Sequence, residues 1–218
     1  MIGSMTRPLD VLVIESGRGA GDGVARALGA AGHRVHRCRG EHGSGVPCRG
    51  VLDVDDCPVE RGADVAVVAP VGGDEIAPQV EQAVSCAIRA GVPVVEIGRS
   101  PALAPFEPWL AARVDGDDAA AATVGSAARQ GFATMEQAVL AMTAPLLVDV
   151  GLPAGRATCA VERAGTGLHV SIDLPDEADE ATRQAVAVRA LAALRDVRRR
   201  HDSVNVDVRA RAYAGGSA

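Results

Sequence analysis

The residues best suited to chemistry are concentrated in residues 33–57, which hold three of the five cysteines and three of the five histidines. Cys38, Cys48 and Cys57 are separated by nine and eight residues, and His42 lies between the first two. Three thiolates and one imidazole form a tetrahedral ligand set that suits zinc. Such a metal can stabilise a loop that buries little apolar area. We therefore predict a metal site on these four residues.

The same side chains allow other interpretations. His36 shares a strand face with Cys38, which makes His36 an alternative fourth ligand. Three thiolates also suit an iron–sulfur cluster, and a disulfide between two of the cysteines would leave the third as a redox-active thiol. Ordinary burial of the thiols is the remaining alternative. Cys86 and Cys159 fall in a predicted helix and a predicted strand, and we expect both in the core.

A second candidate site is the glycine-spaced loop after the first predicted strand, where Gly17, Gly19 and Gly21 follow Glu15. A strand-to-helix loop can present backbone N–H groups to a phosphate. Its spacing does not match G-x-G-x-x-G, and Glu15 would repel an anion, so a tight connecting turn is the alternative. Asp74 follows a later strand and should lie at the same sheet edge. Glu15 and Asp74 are the candidates for acid–base work.

Composition excludes several classes of function. Every one of the 22 basic residues is arginine, which excludes a Schiff-base lysine and a P-loop lysine. A net charge of -6 argues against nucleic acid as the main partner. No window approaches the roughly 20 apolar residues of a membrane helix. Because no signal peptide is evident either, we expect a cytoplasmic protein with reduced thiols.

The elements that must position these residues alternate between apolar runs and helical patterns over residues 1–131. This alternation predicts parallel strands with crossover helices, a doubly wound α/β domain that carries the cysteine-rich loop 38–62. The predicted strands are residues 10–15, 33–38, 63–69, 92–97 and 111–114, the predicted helices are 23–31, 75–90 and 117–130, and 100–108 is a predicted loop.

The remaining chain predicts a small α+β domain over residues 132–213, with a disordered tail at 214–218. A helix over 133–147 precedes a hairpin of strands 157–163 and 168–174, a helix over 177–201 and a strand at 203–208. The last strand alternates polar and apolar residues, as a strand with one solvent-facing side does. Its exposed edge could pair with a second copy of the chain.

Residues 10–38, DVLVIESGRGAGDGVARALGAAGHRVHRC, resemble the start of response-regulator receiver domains and other flavodoxin-like folds. The resemblance covers about residues 9–125 and implies the same doubly wound fold. Receivers carry an acidic pair after strand one, a phosphate-accepting Asp after strand three, and a Lys. Here those places hold Glu15 with Ser16, then Pro70, and no Lys exists. We therefore expect no receiver-type phosphoryl transfer.

Taken together, the residues predict a non-enzymatic regulatory or binding protein whose cysteine-rich loop holds a metal, most simply structural zinc. One alternative is an enzyme or sensor that binds a nucleotide or another small anion at residues 17–23, where the strand ends converge. The other alternative is a redox-active or iron–sulfur protein that uses the same three cysteines.

Overall fold

The computed structural model describes residues 8–38, 50, 53, 56–70, 77–164, 167–197 and 203–211. They belong to two compact units, Met1–Gly131 and Phe132–Ala218, called here the N-terminal and C-terminal units. The N-terminal unit contains a five-stranded parallel sheet with helices, which confirms the predicted α/β class.

The strands of the N-terminal unit run in the spatial order β2-β1-β3-β4-β5. The inner strands β1, β3 and β4 are rich in valine and are buried on both faces, as strands covered by helices must be. The five strands are β1 Asp10–Ile14, β2 Arg34–Arg37, β3 Val65–Val68, β4 Val94–Ile97 and β5 Leu110–Val114.

Helices cover both faces of this sheet. They are α1 Asp22–Ala30, α2 Pro78–Arg89 and α3 Asp117–Asp149. Leu28 of α1 and Val124 of α3 belong to the hydrophobic cluster on one face. Val84 of α2 belongs to the cluster on the other face, together with Leu12 of β1. Two separate cores therefore flank the sheet.

The long helix α3 corrects the prediction of two helices, 117–130 and 133–147, because the helix continues through Gly131. Gly131 lies against Pro93: a Cβ added there would come within 2.8 Å of the Pro93 Cγ. The glycine therefore permits a close approach and does not end the helix. Likewise, Pro101–Trp109, within which a loop is predicted, forms a 3₁₀ helix that contains Pro105 and Pro108.

One helix of the described chain, α3, is long and apolar enough to cross a membrane by length and composition alone. This finding differs from the expectation, stated above, that no segment is long and apolar enough to cross a membrane. A single such helix is weak evidence, because core helices of globular proteins satisfy the same criterion. Val124 of α3 is fully buried in a core of the N-terminal unit, and Val139 is fully buried in the core of the C-terminal unit.

The C-terminal unit has a three-stranded sheet in the order β6-β7-β8. Its elements are β6 Thr158–Ala164, β7 Gly167–Pro175, α4 Glu180–Val197 and β8 Val204–Arg211. Strand β7 pairs antiparallel with β6 and parallel with β8. Val170 and Ile172 are buried with Val186 of α4, whereas His169 and Ser171 face the other way and are partly exposed. Among the described residues of this unit, the hydrophobic core lies on one face of the sheet.

Candidate functional site

The carboxyl ends of β1 and β2 meet at a carboxylate, that of Glu15. Glu15 follows the last residue of β1, and its side chain is only 13% exposed. The Arg37 Nη1 at the end of β2 donates to both carboxylate oxygens of Glu15, at 3.1 and 3.0 Å. The Arg37 Nη2 donates to the Asp22 Oδ1 at 2.5 Å. The hydrogen bond to Asp22 and the charge of Glu15 raise the pKa of Arg37.

The glycine loop closes around this carboxylate. The Gly21 N–H donates to the Glu15 Oε2 at 3.0 Å. The neighbouring N–H groups of Ala20 and Asp22 donate to the carbonyl oxygens of Gly17 and Gly19, at 3.2 and 3.1 Å. Three successive donors that a phosphate would need are thus already bonded within the loop.

Packing explains why glycines stand in this loop. Gly19 has a backbone φ of +83°, which residues other than glycine rarely adopt. A Cβ on Gly21 would lie 2.6 Å from the Val13 Cγ1 and 3.1 Å from the Glu15 Oε2, whereas a Cβ on Gly17 would meet no atom within 4 Å. Gly21 therefore lets the start of α1 approach β1 closely, as a tight strand-to-helix turn requires.

Two of the predicted metal ligands, Cys38 and Cys57, lie within the described residues. Cys38 directly follows β2, and its N–H lies 3.5 Å from the Val13 carbonyl oxygen. Cys38 and Cys57 are both half-buried and pack against the same hydrophobic cluster, which contains Leu12 and Ile14. The fold thus brings two thiols that are 19 residues apart to one side of the sheet.

Gly50 lies directly against Cys57. A Cβ added at Gly50 would come within 2.7 Å of the Cys57 Cβ and 3.2 Å of its Sγ. The remaining predicted residues His42, Cys48 and Asp74 lie outside the described residues. Within the described part of the chain, no group of three or more His, Cys, Asp and Glu residues is arranged to hold a metal ion.

His36, the alternative fourth ligand, is engaged elsewhere. Its Nε2 lies 2.8 Å from the Asp10 Oδ1, and the Arg34 guanidinium donates to both oxygens of the same carboxylate. The hydrogen bonds from Arg34 to Asp10, together with the negative charge of Asp10, raise the pKa of Arg34. A metal would have to compete with this ion pair for the His36 imidazole.

A second polar cluster at the sheet edge escaped the sequence reasoning. Glu96 of β4 is 1% exposed and accepts hydrogen bonds from the Ser100 N–H at 2.8 Å and the Arg113 Nε at 2.5 Å. The Arg113 Nη1 also donates to the Glu107 Oε1 at 2.5 Å. The hydrogen bonds to Glu96 and Glu107 raise the pKa of Arg113, and the bond to Arg113 lowers that of Glu107. The sequence feature that could have identified this cluster is Glu96 itself, the single charged residue in the apolar predicted strand at residues 92–97.

The Glu96 cluster links two neighbouring strands, which indicates a structural role. Its buried carboxylate is neutralised by Arg113, which joins β4 to β5. The Ser100 hydroxyl is buried and has no hydrogen-bond partner among the described residues. No described group is poised to take a proton from it.

The other cysteines are in different environments. Cys86 of α2 is half-buried, and the Arg89 Nη2 lies 3.5 Å from its Sγ. Burial and the nearby charge of Glu136 raise the pKa of Cys159 to about 12. A thiol with that pKa stays protonated at neutral pH and is a poor metal ligand. Cys159 therefore serves as an internal reference for a half-buried, unreactive thiol.

The uncovered sheet face of the C-terminal unit carries polar side chains. The Ser171 Oγ lies 3.2 Å from the His169 Nε2. On β8, the Arg209 Nε donates to the Asp207 Oδ2 at 2.8 Å. Peptide groups within a sheet are occupied by strand pairing. We therefore see no oxyanion-stabilising donors beside Ser171 that would make it a nucleophile.

Comparison with known proteins gives no assignment. No model of a known protein family matches the chain, and no curated protein matches its sequence.

Proposed function

We propose that this chain is a non-enzymatic regulatory or binding protein whose cysteine-rich segment holds a structural zinc ion. The ligands in this proposal are Cys38, Cys48 and Cys57, with His42 as the fourth. The N-terminal unit is in our view a doubly wound domain of the flavodoxin type, and the C-terminal unit is a second, smaller domain.

The order of the strands supports the doubly wound assignment. The order β2-β1-β3-β4-β5 is the one found in flavodoxin-like sheets, in which the winding direction reverses between β1 and β3. Ligands of such sheets bind outside the carboxyl ends of the strands, near that reversal. Glu15 and Cys38 follow two of the strands at this end of the sheet.

The observation that carries the metal proposal is the packing around Cys57. Cys38 and Cys57 contact one hydrophobic cluster, and Gly50 lies directly against Cys57. Cys48 precedes Gly50 by two residues, and two residues of chain span at most about 7 Å. Chain connectivity therefore favours a position of Cys48 close to Cys57.

Zinc is the simplest occupant of such a site. Thiolate and imidazole ligands suit its tetrahedral preference, and a reducing compartment, which we propose for this protein, keeps cysteines available as ligands. Cys86 and Cys159 are thiols and form no disulfide in the structure. An iron–sulfur cluster would require the same thiolates and is distinguished by its colour and iron content.

The charge pattern of the sheet edge supports a binding role over catalysis. The carboxylates of Glu15 and Glu96 each pair with an arginine, Arg37 and Arg113. A general base must direct a carboxylate oxygen at its substrate, whereas both oxygens of Glu15 and of Glu96 already accept hydrogen bonds within the chain. The carboxylate of Glu15 occupies the glycine loop, which likewise argues against the nucleotide-binding alternative, because an anion would have to displace Glu15.

The test is metal analysis of protein purified anaerobically without chelator, together with its absorption spectrum. We expect about one zinc per chain and no visible band. Cys57→Ser and Cys38→Ser should each lose most of the metal. Cys159→Ser is the matched control, because it removes a half-buried thiol in the other unit, and it should retain the zinc.

Other outcomes separate the alternatives. Iron with a visible absorption band would replace zinc by a redox or gas-sensing cluster on the same residues. Absence of metal, with Cys38 and Cys57 both open to alkylation in the native protein, would overturn the proposal. Cys159 should resist alkylation in either case. At pH 8 a pKa of about 12 leaves roughly a thousandfold less thiolate than an ordinary cysteine has.

A further inference from the structure

The outer edge of β8 is a long strand edge that no described strand covers. β8 is the last strand of the three-stranded sheet, so it pairs with β7 on one side only. It runs for eight residues without a proline, and its register with β7 is continuous from Val204 to Arg211. Exposed edges of this kind pair readily with another strand, and proteins usually block them with prolines, bulges or covering groups.

The opposite edge of the same sheet is blocked in that way. The Val161 N–H of β6 donates to the Glu136 Oε1 of α3 at 2.9 Å. A helix side chain thus occupies a backbone donor that an incoming strand would need. No such contact is recorded for β8 among the described residues, so the two edges of one sheet are not equivalent.

The hydrogen bonds to β7 identify which peptide groups of β8 point outward. The Leu168 N–H donates to the Ser203 carbonyl oxygen at 2.9 Å. Peptide groups alternate in direction along a strand, so those of the odd-numbered residues point toward β7. The even-numbered residues from Val204 to Ala210 therefore direct their N–H and C=O groups toward the open edge.

We propose that a second copy of this chain pairs antiparallel with β8, with Val208 opposite the partner's Val208. This register lets the outward peptide groups of the even-numbered residues bond to each other. It also places Asp207 opposite the partner's Arg209 and Arg209 opposite the partner's Asp207. The result is a continuous six-stranded sheet with two pairs of opposite charges across the twofold axis.

Charge selects this register over its neighbours. A twofold axis at Asp207 would place two aspartates opposite each other, and an axis at Arg209 would place two arginines opposite each other. Like charges directly opposite one another destabilise strand pairing. An axis at Val206 would pair Asp207 with the partner's Asn205 and form no opposite-charge pair. Only the axis at Val208 pairs both charges of this segment.

The surroundings of β8 are compatible with this partner. Val204, Val206 and Val208 are half-buried beside the hydrophobic core and would lose solvent exposure when a second strand is added. The Asp207 and Arg209 side chains are 38% and 52% exposed and form an ion pair with each other within the chain, and the antiparallel register adds the partner's Arg209 and the partner's Asp207 opposite them. This inference is independent of the metal proposal.

The first test is the mass of the full chain by light scattering and its dissociation constant by ultracentrifugation. We expect a dimer, with twice the 22.2 kDa of one chain. Arg209→Asp and Asp207→Arg should each raise the dimer dissociation constant about 10-fold or more, because each substitution places like charges opposite each other at two positions of the dimer. The double variant Asp207→Arg/Arg209→Asp restores both pairs and should return to within about 3-fold of the wild type.

The matched control is Glu162→Arg, a charge reversal at an exposed position on β6. It should leave the dissociation constant unchanged. A monomer at every concentration, or a dimer indifferent to both single reversals, would overturn the proposal. Circular dichroism of each variant excludes unfolding as the cause of a monomer.

A cysteine substitution tests the register itself. In the proposed pair the two Val208 Cα atoms are about 5.5 Å apart, within the range of a disulfide. Val208→Cys should therefore form an interchain disulfide on mild oxidation, identified by mass spectrometry of the linked peptides. Val206→Cys is the control, because its two copies would lie about 13 Å apart along the strand. Crosslinking of Val206→Cys with equal yield would contradict the register.

Discussion

The two units expose different parts of their sheets, and this decides where each can bind. In the N-terminal unit helices cover both faces, so Val67 and Val68 of β3, which face opposite sides, are both fully buried. Among the described residues, the loops at the strand ends are the candidate site of this unit. In the C-terminal unit the sheet is covered on one face, and His169 and Ser171 lie on the other. There the strand itself, at the edge of β8, is the surface available.

In this chain the proposed ligand site lies in the N-terminal unit, whereas the proposed self-association surface lies in the C-terminal unit. Candidate ligands in the N-terminal unit, such as Cys38 and Cys57, lie outside the strands and helices and depend on loops for their geometry. The edge of β8 depends only on strand register. Changes at one unit should therefore have little effect on the other, and the following predictions test this separation.

Metal removal should have the largest effect, and it should be confined to the N-terminal unit. A metal that holds a loop contributes folding free energy directly. After treatment with a chelator we expect amide hydrogen exchange in β2 and in residues 56–62 to accelerate by about 100-fold or more. Exchange in β6 and β7 should not change. Equal acceleration in both units would show that they are coupled.

A single methyl group in the glycine loop should have the next largest effect. Gly21→Ala places a Cβ 2.6 Å from the Val13 Cγ1 and displaces Glu15, which should destabilise the N-terminal unit by about 1–3 kcal/mol. Gly17→Ala is the matched control, because its Cβ meets nothing within 4 Å, and it should stay within about 0.5 kcal/mol of the wild type. Urea unfolding measures both. Similar losses for the two variants would refute the packed-turn interpretation.

The smallest effect concerns the start of α4 in the C-terminal unit. The Thr182 N–H donates to the Asp179 Oδ1 at 2.8 Å, and hydrogen bonding to Thr182 lowers the pKa of Asp179. Because the folded pKa is below the unfolded one, this stabilisation is present above about pH 4 and is lost as the pH falls through the folded pKa.

Asp179→Ala should therefore lower the melting temperature of the C-terminal unit by about 4 °C at pH 7. The difference from wild type should shrink and then disappear as the pH falls through the lowered folded pKa of Asp179, where the aspartate becomes protonated. Asp176→Ala, which removes an exposed acidic residue three positions earlier, should have no such pH-dependent effect. A difference that persists at low pH would mean that Asp179 acts by other means than its charge.

Local patterns predicted most of the fold, and they failed where a distant contact decided the outcome. The strand run at residues 10–15 and the helix pattern at 23–31 are close to the observed β1 and α1. The sequence predicts separate helices at 117–130 and 133–147, with Gly131 between them, because glycine disfavours helix locally. The contact with Pro93, 38 residues away, explains a glycine at that position within a continuous helix.

The candidate sites were less predictable than the fold. The sequence identified Glu15 and the glycine loop, but not that the carboxylate would turn into the loop and bind Arg37. It did not identify the pair Glu96 and Arg113, whose members lie on adjacent strands. Two of the four predicted metal ligands, Cys38 and Cys57, pack against one cluster, and the complete ligand set stays a prediction.

The sequence by itself determined the α/β class, the alternation of strands and helices, and the absence of lysine chemistry. These follow from composition and from periodicity, which reflects the average burial along one element. Only the tertiary structure decided which side chains meet: Glu15 with Arg37, Glu96 with Arg113, and Glu136 with the edge of β6. Such meetings depend on strand order and on register between segments far apart in the chain, and local periodicity carries no information about either.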